Sequence, residues 1–231
     1  MKGTLSLPLD REWTNSTVPI KTTKTDFPAI KRGALWVDDE AKHLYSWGGE
    51  GTSDDSEGAE DKNLWTFEPD GDGGGKWMAK SPKNPPDRAS EAGYATCGNT
   101  GYLLGGILNE LTDSSFDVED EPYEGFHSLD LKTGKWAKKD TGDFNAPYGS
   151  YQGGRATCGS ITDSDPLLFF FGGRAAKEKD ETPTDMPFNK LNFYDTKTEK
   201  WYVQSTRGDI PSGRGYFCAV GTQSPSGSYE M

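Results

Sequence analysis

Residues 167–173 read Leu-Leu-Phe-Phe-Phe-Gly-Gly, an apolar run that ends directly in two glycines. Two further diglycines end similar runs: Gly48-Gly49 follows residues 43–47, and Gly105-Gly106 follows residues 102–104. Short apolar runs bounded by glycine are typical of β-strands that end in sharp turns. The pattern ending in Gly172-Gly173 is therefore predicted to be one of three copies of a strand-and-turn unit.

Each unit continues after a polar loop with a second apolar run and closes with a tryptophan. The closing tryptophans are Trp77, Trp136 and Trp201, which follow the second glycine of each pair by 28, 30 and 28 residues. A further strand precedes each apolar run, and its copies end at Trp36, Cys97, Cys158 and Cys218, spaced by 61, 61 and 60 residues. Four strands per unit at a nearly constant period predict the blades of a β-propeller.

This order of strand, diglycine, long loop, aromatic strand, turn and tryptophan resembles the kelch repeat. The segment from Tyr194 to Trp201 is similar to the closing segment of that repeat, and the resemblance covers nearly the whole chain. It implies an all-β fold, a β-propeller of four-stranded kelch blades related to the galactose oxidase-like fold. Residues 13–19 and 33–36 are most similar to kelch-domain proteins of filamentous fungi.

We predict one kelch propeller region over residues 1–231, with about four blades' worth of sequence. The predicted divisions are the end of a preceding blade at 1–28, blades at 29–82, 83–143 and 144–207, and the start of a further blade at 208–231. We expect a part of a larger propeller, and a closed four-bladed propeller is the alternative.

The formal net charge of −12 disfavours nucleic acid as a partner, because phosphate binding needs clustered lysine and arginine. The sequence contains no run of about 18 apolar residues, so it predicts no transmembrane segment. Residues 1–10 also lack the apolar core of a signal peptide. The compartment stays undecided, although the resemblance to fungal proteins implies a secreted or cell-surface full-length form. Asn15 begins a glycosylation sequon, which matters only in a secreted chain.

The three cysteines align on one repeated strand, so Cys97, Cys158 and Cys218 are predicted to occupy the same inner-strand position in successive blades. A disulfide needs Cα atoms within about 7 Å, whereas packed sheets lie about 10 Å apart. We therefore expect three buried, unpaired cysteines, and a Cys97–Cys158 bond would contradict the alignment. The closing Trp136 is expected to be buried between blades.

No metal or cofactor is predicted. The two histidines, His43 and His127, fall at non-equivalent positions of different units. The stretch from Asp70 to Gly74 begins like a calcium loop but lacks the later ligands. A glycine-rich hairpin turn is the simpler interpretation of that stretch.

Loops on a rigid scaffold commonly hold the functional residues. In a propeller, the loops after the second strand and the loops that join blades emerge on one face. The candidate partner-binding residues on that face are Arg32, Arg88, Arg155, Arg214, Tyr148 and Tyr151, since arginine and tyrosine are frequent interface anchors. Alternatively, each arginine pairs with a nearby carboxylate or carbonyl.

The loops at residues 50–61 and 107–124 contain many acidic residues and no lysine or arginine. They are either solvated loops or an acidic rim for a basic protein.

Regular repeats without a catalytic constellation predict a protein-binding scaffold and not an enzyme. The alternative is a carbohydrate-active or oxidative enzyme, so a carbohydrate or small-molecule ligand stays open. Three or more titratable groups that converge at the mouth of the propeller's central channel would favour an enzyme. A mouth lined by arginine, tyrosine and backbone groups, without such a cluster, would favour a binding protein.

Overall fold

The computed structural model describes residues 26–52, 61–71, 74–117, 119–142, 144, 151–159, 166–176, 181–219, 221–223 and 229–230. These residues form β-strands, turns and loops, and none of them belongs to a helix. The all-β architecture predicted from the repeats is therefore confirmed.

The strands are β1 (Ile30–Lys31), β2 (Ala34–Asp38), β3 (His43–Trp47), β4 (Glu50–Gly51), β5 (Leu64–Pro69), β6 (Gly75–Lys80), β7 (Gly93–Cys97), β8 (Thr100–Leu104), β9 (Ile107–Leu108), β10 (Glu121–Pro122), β11 (Phe126–Asp130), β12 (Lys135–Lys139), β13 (Arg155–Gly159), β14 (Leu167–Phe171), β15 (Arg174–Ala175), β16 (Thr184–Asp185), β17 (Lys190–Asp195), β18 (Lys200–Ser205), β19 (Thr222–Gln223) and β20 (Tyr229–Glu230).

Three four-stranded antiparallel sheets make up the blades. The first blade has the strand order β2-β3-β5-β6, the second β7-β8-β11-β12 and the third β13-β14-β17-β18. The remaining strands form two-stranded ladders: β1 with β4, β9 with β10, β15 with β16 and β19 with β20. Since β7 contacts both β2 and β13, the first strand of each blade lies innermost, beside the propeller axis. The described blades thus form part of a β-propeller.

Each diglycine joins its blade to the segment that leads into the next one. Gly105 has a φ of +62°, and a Cβ there would lie 2.3 Å from the carbonyl oxygen of Tyr151. Gly106 donates its N–H to the same carbonyl at 2.7 Å. The other two diglycines repeat this geometry with the carbonyls of Ala89 and Arg214. Glycine is required because the turn combines a left-handed backbone with close backbone contact.

The closing tryptophans lie at the faces where blades pack. Trp136 is buried, as expected, with its ring 5.8 Å from that of Trp36 and 5.5 Å from that of Trp47 in the first blade. Trp201 is buried in the same way between the third and second blades. Trp77 is only partly buried, against Phe27 and Phe67, and no described blade precedes it.

Strand pairing corrects the alignment of the inner strands. Ala34, Gly93 and Arg155 each pair with the residue just before a diglycine, so these three positions are equivalent. Cys158 lies three residues after Arg155, and Thr96 lies three residues after Gly93, so these two are equivalent. Cys97 lies four residues after Gly93 and is therefore displaced by one position from Cys158. The predicted equivalence of the two cysteines is therefore wrong.

Cys97 and Cys158 form a disulfide with their Cα atoms 5.5 Å apart, so the expectation of unpaired thiols is also wrong. Successive side chains of a strand point to opposite faces. A shift of one position therefore turns Cys97 toward the third blade and Cys158 toward the second. The expectation used the spacing of about 10 Å that separates sheets packed face to face. The inner strands approach each other more closely because they converge at the propeller axis.

Cys218 is free and exposed, so its predicted burial is wrong as well. The expectation assumed that residues 215–218 form the inner strand of a further blade. Residues 215–219 form no strand, and hence no sheet covers the Cys218 side chain.

Candidate partner-binding site at the channel mouth

A row of backbone hydrogen bonds lies beside the propeller axis, where the chain enters the inner strands. Arg32, Glu91, Gly153 and Tyr216 all have left-handed φ values, of 59°, 58°, 62° and 57°. Glu91 donates its N–H to the carbonyl of Arg32 at 3.0 Å, Gly153 to that of Glu91 at 2.8 Å, and Tyr216 to that of Gly153 at 2.7 Å. We call these four residues the mouth ladder. Their hydrogen bonds fix the backbone positions of Arg32, Glu91 and Tyr216 relative to one another.

Glu91 is a buried carboxylate that binds two exposed side chains. Its Oε1 lies 3.0 Å from a guanidinium nitrogen of Arg32, and its Oε2 accepts the Tyr216 hydroxyl at 2.6 Å. The Arg32 side chain is 53% exposed, and Tyr216 is 56% exposed. The tyrosine ring also lies over Gly153, where a Cβ would be only 3.0 Å from the ring. The mouth therefore presents an arginine and a tyrosine in fixed places.

A second buried carboxylate, Glu50, follows the first diglycine. It accepts the Ser90 hydroxyl at 2.9 Å and lies 3.3 Å from the Lys31 ammonium and 3.4 Å from the Arg32 guanidinium. Burial by itself would raise the pKa of Glu50, but the hydrogen bonds from Ser90 and Lys31 and the charge of Arg32 outweigh it, so the pKa is lowered. Glu50 is thus held ionised and ties the segment before the first blade to the segment before the second.

Arg174 occupies the position after the third diglycine that Glu50 occupies after the first. It donates to the carbonyl of Pro183 at 2.8 Å and lies 3.7 Å from the Asp185 carboxylate. Burial and the neighbouring Glu91 raise the pKa of Tyr216, and Arg174 partly offsets this. The Tyr216 hydroxyl therefore stays protonated and able to donate to Glu91.

Of the candidate residues from the sequence, Arg32 and Arg214 are exposed on this face. Arg214 donates to the nearby carbonyl of Ser212 at 3.3 Å. Arg155 is partly buried and donates to the carbonyl of Gly154 at 2.8 Å. Both contacts fit the alternative in which each arginine pairs with a neighbouring carbonyl.

Arg88 and Tyr151 are buried inside the blade junctions. Arg88 is 5% exposed and donates to the carbonyl of Gly48 at 3.3 Å. Tyr151 is 1% exposed and donates its hydroxyl to the carbonyl of Phe171 at 2.8 Å. Burial also raises the pKa of Tyr151 far above its usual value. Neither side chain can contact a partner unless its junction opens.

Several sequence-based expectations fall outside the described residues. These are Tyr148, the sequon at Asn15, Asp72 and Gly73 of the glycine-rich turn, and the acidic residues within 53–60. Sequence reasoning also missed Ser90 and Glu91. The signal that could have found Glu91 is its place two residues before an inner strand, as for Arg32 and Gly153.

The acidic loop at residues 107–124 is held, where it is described, by its own side chains and by Lys62 from the first blade. Asn109 donates to the Asp120 carboxylate at 2.7 Å, and Lys62 lies 2.8 Å from the Asp113 carboxylate. Burial alone would raise the pKa of Asp113, but hydrogen bonds from Lys62 and Ser115 lower it to about 2. Asp113 is thus held ionised in a loop whose backbone is held in place by these contacts.

His127 gives a testable pH dependence. It is buried on β11, and burial together with the charge of Lys138 lowers its pKa to about 4. In the unfolded chain the pKa is about 6.5, so between these values the unfolded state binds the proton more strongly. We expect the free energy of unfolding to fall by about 2–3 kcal/mol as the pH drops from 6.5 to 4.

Urea unfolding at a series of pH values measures this effect. His127→Phe should flatten the dependence between pH 6.5 and 4, because the substitution removes the group that titrates. His43→Phe, at the other histidine of the chain, controls for the loss of an imidazole. An unchanged pH slope in His127→Phe would contradict the assignment.

Comparison with known families matches the model of the KLHDC2/KLHL20/DRC7 Kelch-repeats domain to residues 8–225 of this chain. No curated protein sequence matches it.

Proposed function

We propose, from the premise that the chain belongs to the KLHDC2/KLHL20/DRC7 kelch-repeat family, that it is a protein-binding scaffold whose contact surface is the channel mouth. One observation supports the site most directly: exposed Arg32 and exposed Tyr216 are both bound by the buried carboxylate of Glu91. A fold alone does not define function, so the proposal rests on this geometry together with the family.

Two features make the mouth suitable for binding. Arginine and tyrosine are enriched among the residues that dominate binding energy at interfaces. Their side chains lose conformational entropy when a partner fixes them. Because Glu91 already restrains both Arg32 and Tyr216, much of that cost is met in the free protein.

The acidic loop at residues 107–124 favours a basic segment in the partner. Glu110, Asp117, Glu119 and Asp120 line one open depression in it, and the whole chain has a net charge of −12. Complementary charge accelerates association and selects among partners more than it raises affinity. We therefore propose that the mouth anchors the partner and that the acidic loop selects a basic one.

A pair of substitutions at the mouth tests the proposal. Arg32→Asn combined with Tyr216→Phe removes the cation and the hydroxyl, and asparagine tolerates the left-handed backbone at position 32. We expect partner binding to weaken by at least about tenfold, since loss of an anchor costs more than 1 kcal/mol. The measurement is quantitative capture of co-purifying proteins by the full chain, followed by titration of the captured protein.

The matched control makes the same two kinds of change elsewhere. Lys132→Asn lies in a turn at the opposite end of the second blade, and Tyr202→Phe lies on the outer strand of the third. This variant should bind as the unchanged protein does and keep its melting temperature within a few degrees. The mouth variant leaves the buried Glu91 carboxylate without these two partners and should melt at a lower temperature, so binding is compared where both variants remain folded. Equal binding by both variants, or loss in the control alone, would place the interface elsewhere.

The enzyme alternative has one observation in its favour, since Arg32, Glu50, Glu91, Lys31 and Tyr216 do converge at the mouth. However, both carboxylates are buried and bound to cations or hydroxyls, and the lowered pKa of Glu50 does not suit a general acid at neutral pH. Assays of glycoside hydrolysis and of sugar oxidation with the purified chain test it. Activity that Glu91→Gln abolishes would favour the enzyme.

The finer statements about origin and compartment are also proposals. The similarity to kelch-domain proteins of filamentous fungi rests on residues 13–19 and 33–36, and it supports a secreted or cell-surface full-length form. Among the described residues, none lies in a helix that is long and apolar enough to cross a membrane.

A further inference from the structure

We propose that the Cys97–Cys158 disulfide is a structural cross-link of the junction between the second and third blades, and that the protein matures in an oxidising compartment. The two Cα atoms are 5.5 Å apart across the junction, within the range that a disulfide spans. Cys97 is 6% exposed, and Cys158 packs against the same apolar cluster.

The cross-link completes a pair of ties between two inner strands. At the mouth end, Gly153 donates its N–H to the carbonyl of Glu91 at 2.8 Å, just before β13 and β7 begin. Cys97 is the last residue of β7, and Cys158 lies near the end of β13. The disulfide therefore joins the two strands at the end away from the mouth, and the junction is fixed at both ends.

The junction between the first and second blades lacks this covalent tie. Strand pairing makes Asp38 equivalent to Cys97 and Thr96 equivalent to Cys158. There the Thr96 hydroxyl accepts the N–H of Val37 at 3.2 Å, and the Asp38 carboxylate accepts the backbone N–H groups of Glu40 and Ala41. The Asp38 bonds lie within the first blade, so the same place in the repeat has a hydrogen bond from Val37 to Thr96 in one junction and a disulfide in the other.

The inner strands that face each other at this junction carry the small residues Gly93, Ala95 and Ala156. The apolar cluster of the junction also includes Tyr151 and Phe170, whose rings lie against Gly93, and the cross-link adds to this packing. A disulfide between residues 61 positions apart removes much of the freedom of the unfolded chain and so stabilises the folded state. Reducing compartments keep such thiols reduced, whereas secreted and cell-surface proteins retain the bond.

The bond forms by exchange with a disulfide oxidant of the folding compartment. The Cys97 thiolate attacks one sulfur of the oxidant disulfide and releases one thiolate, which leaves a mixed disulfide. The Cys158 thiolate then attacks the Cys97 sulfur and releases the second thiolate. Two protons leave the cysteine thiols, and two electrons pass to the oxidant. Dithiothreitol reverses the exchange and is oxidised to its cyclic disulfide.

Peptide mapping of the full chain, secreted from a eukaryotic host and alkylated under non-reducing conditions, tests the linkage. We expect one linked peptide pair that contains Cys97 and Cys158, with alkylation at Cys218 alone. Alkylation of all three cysteines, or linkage of Cys218 to either of the others, would overturn the proposal.

Thermal unfolding with and without dithiothreitol tests the structural role. We expect the reductant to lower the melting temperature by roughly 5–15 °C. Cys97→Ser combined with Cys158→Ser should melt at about the reduced value and show no response to reductant, whereas Cys218→Ser should respond like the unchanged protein. Reduction should also accelerate amide hydrogen exchange at residues 155–159 and leave residues 34–38 unchanged. A melting temperature that does not respond to reductant in the cross-linked protein would overturn the role.

Discussion

Gly105→Ala is expected to lower the free energy of unfolding of the protein by about 3–5 kcal/mol. A Cβ at this position would lie 2.3 Å from the carbonyl oxygen of Tyr151 and 2.5 Å from its backbone nitrogen. Tyr151 is itself buried, and its carbonyl accepts the N–H of Gly106. The clash therefore cannot be relieved by a side-chain rotation, and relief requires the second and third blades to separate.

Gly98→Ala is the matched control for this substitution. Gly98 also has a left-handed φ, of +56°, but a Cβ there would meet nothing within 4 Å. We expect only the cost of the backbone conformation, about 1–2 kcal/mol. Urea unfolding followed by tryptophan fluorescence measures both variants. If Gly105→Ala and Gly98→Ala lowered the free energy of unfolding by similar amounts, the close backbone contact at Gly105 would not be the reason that glycine is needed there.

Trp136→Ala is expected to lower the free energy of unfolding by about 3–5 kcal/mol. The indole lies between the first and second blades, against Trp36 and Trp47, and is 6% exposed. Its removal leaves a cavity at a junction where the surrounding rings are held by their own strands. The loss should appear in urea unfolding as a shifted midpoint with an unchanged slope.

Trp77→Ala is the control at the equivalent position of the first blade. Trp77 is only partly buried, so its loss should cost clearly less than that of Trp136. Trp136→Phe gives a second comparison. The indole nitrogen of Trp136 has no hydrogen-bond partner among the described residues, so phenylalanine removes a buried unsatisfied group along with some of the ring area. If alanine cost no more at position 136 than at 77, the junction role of Trp136 would be wrong.

The two largest predictions concern the same physical unit, the junction between successive blades. The diglycine supplies the backbone contact of each junction, and the closing tryptophan supplies the apolar contact. A substitution that separates two blades removes both, which explains why single changes far from the mouth are expected to have large effects. The mouth ladder depends on the same junctions, since its hydrogen bonds join the segments that lead into the three blades and the segment that follows the third blade.

The sequence by itself determined the blade architecture. The features that specify a blade are local: apolar runs of about five residues, a diglycine that permits a left-handed turn, and a tryptophan at a constant distance. Because these signals repeat within each unit, they predicted the three sheets without knowledge of how the units pack. The burial of Trp136 followed for the same reason, since a large aromatic residue on the last strand must face a neighbouring blade.

Only the tertiary structure decided the register between blades and the arrangement of the mouth. A displacement of one residue reverses the face to which a strand residue points, and in the sequence that displacement is hidden by unequal loop lengths. Because of this displacement, Cys97 and Cys158 face each other and form a disulfide, although the sequence predicted free thiols. Nothing in the residue types of Arg32, Glu91 and Tyr216 favours a left-handed backbone locally, and hydrogen bonds between the segments around the mouth hold it there. Contacts between residues about 60 positions apart set these features, and such contacts exist only once the blades have assembled around the axis.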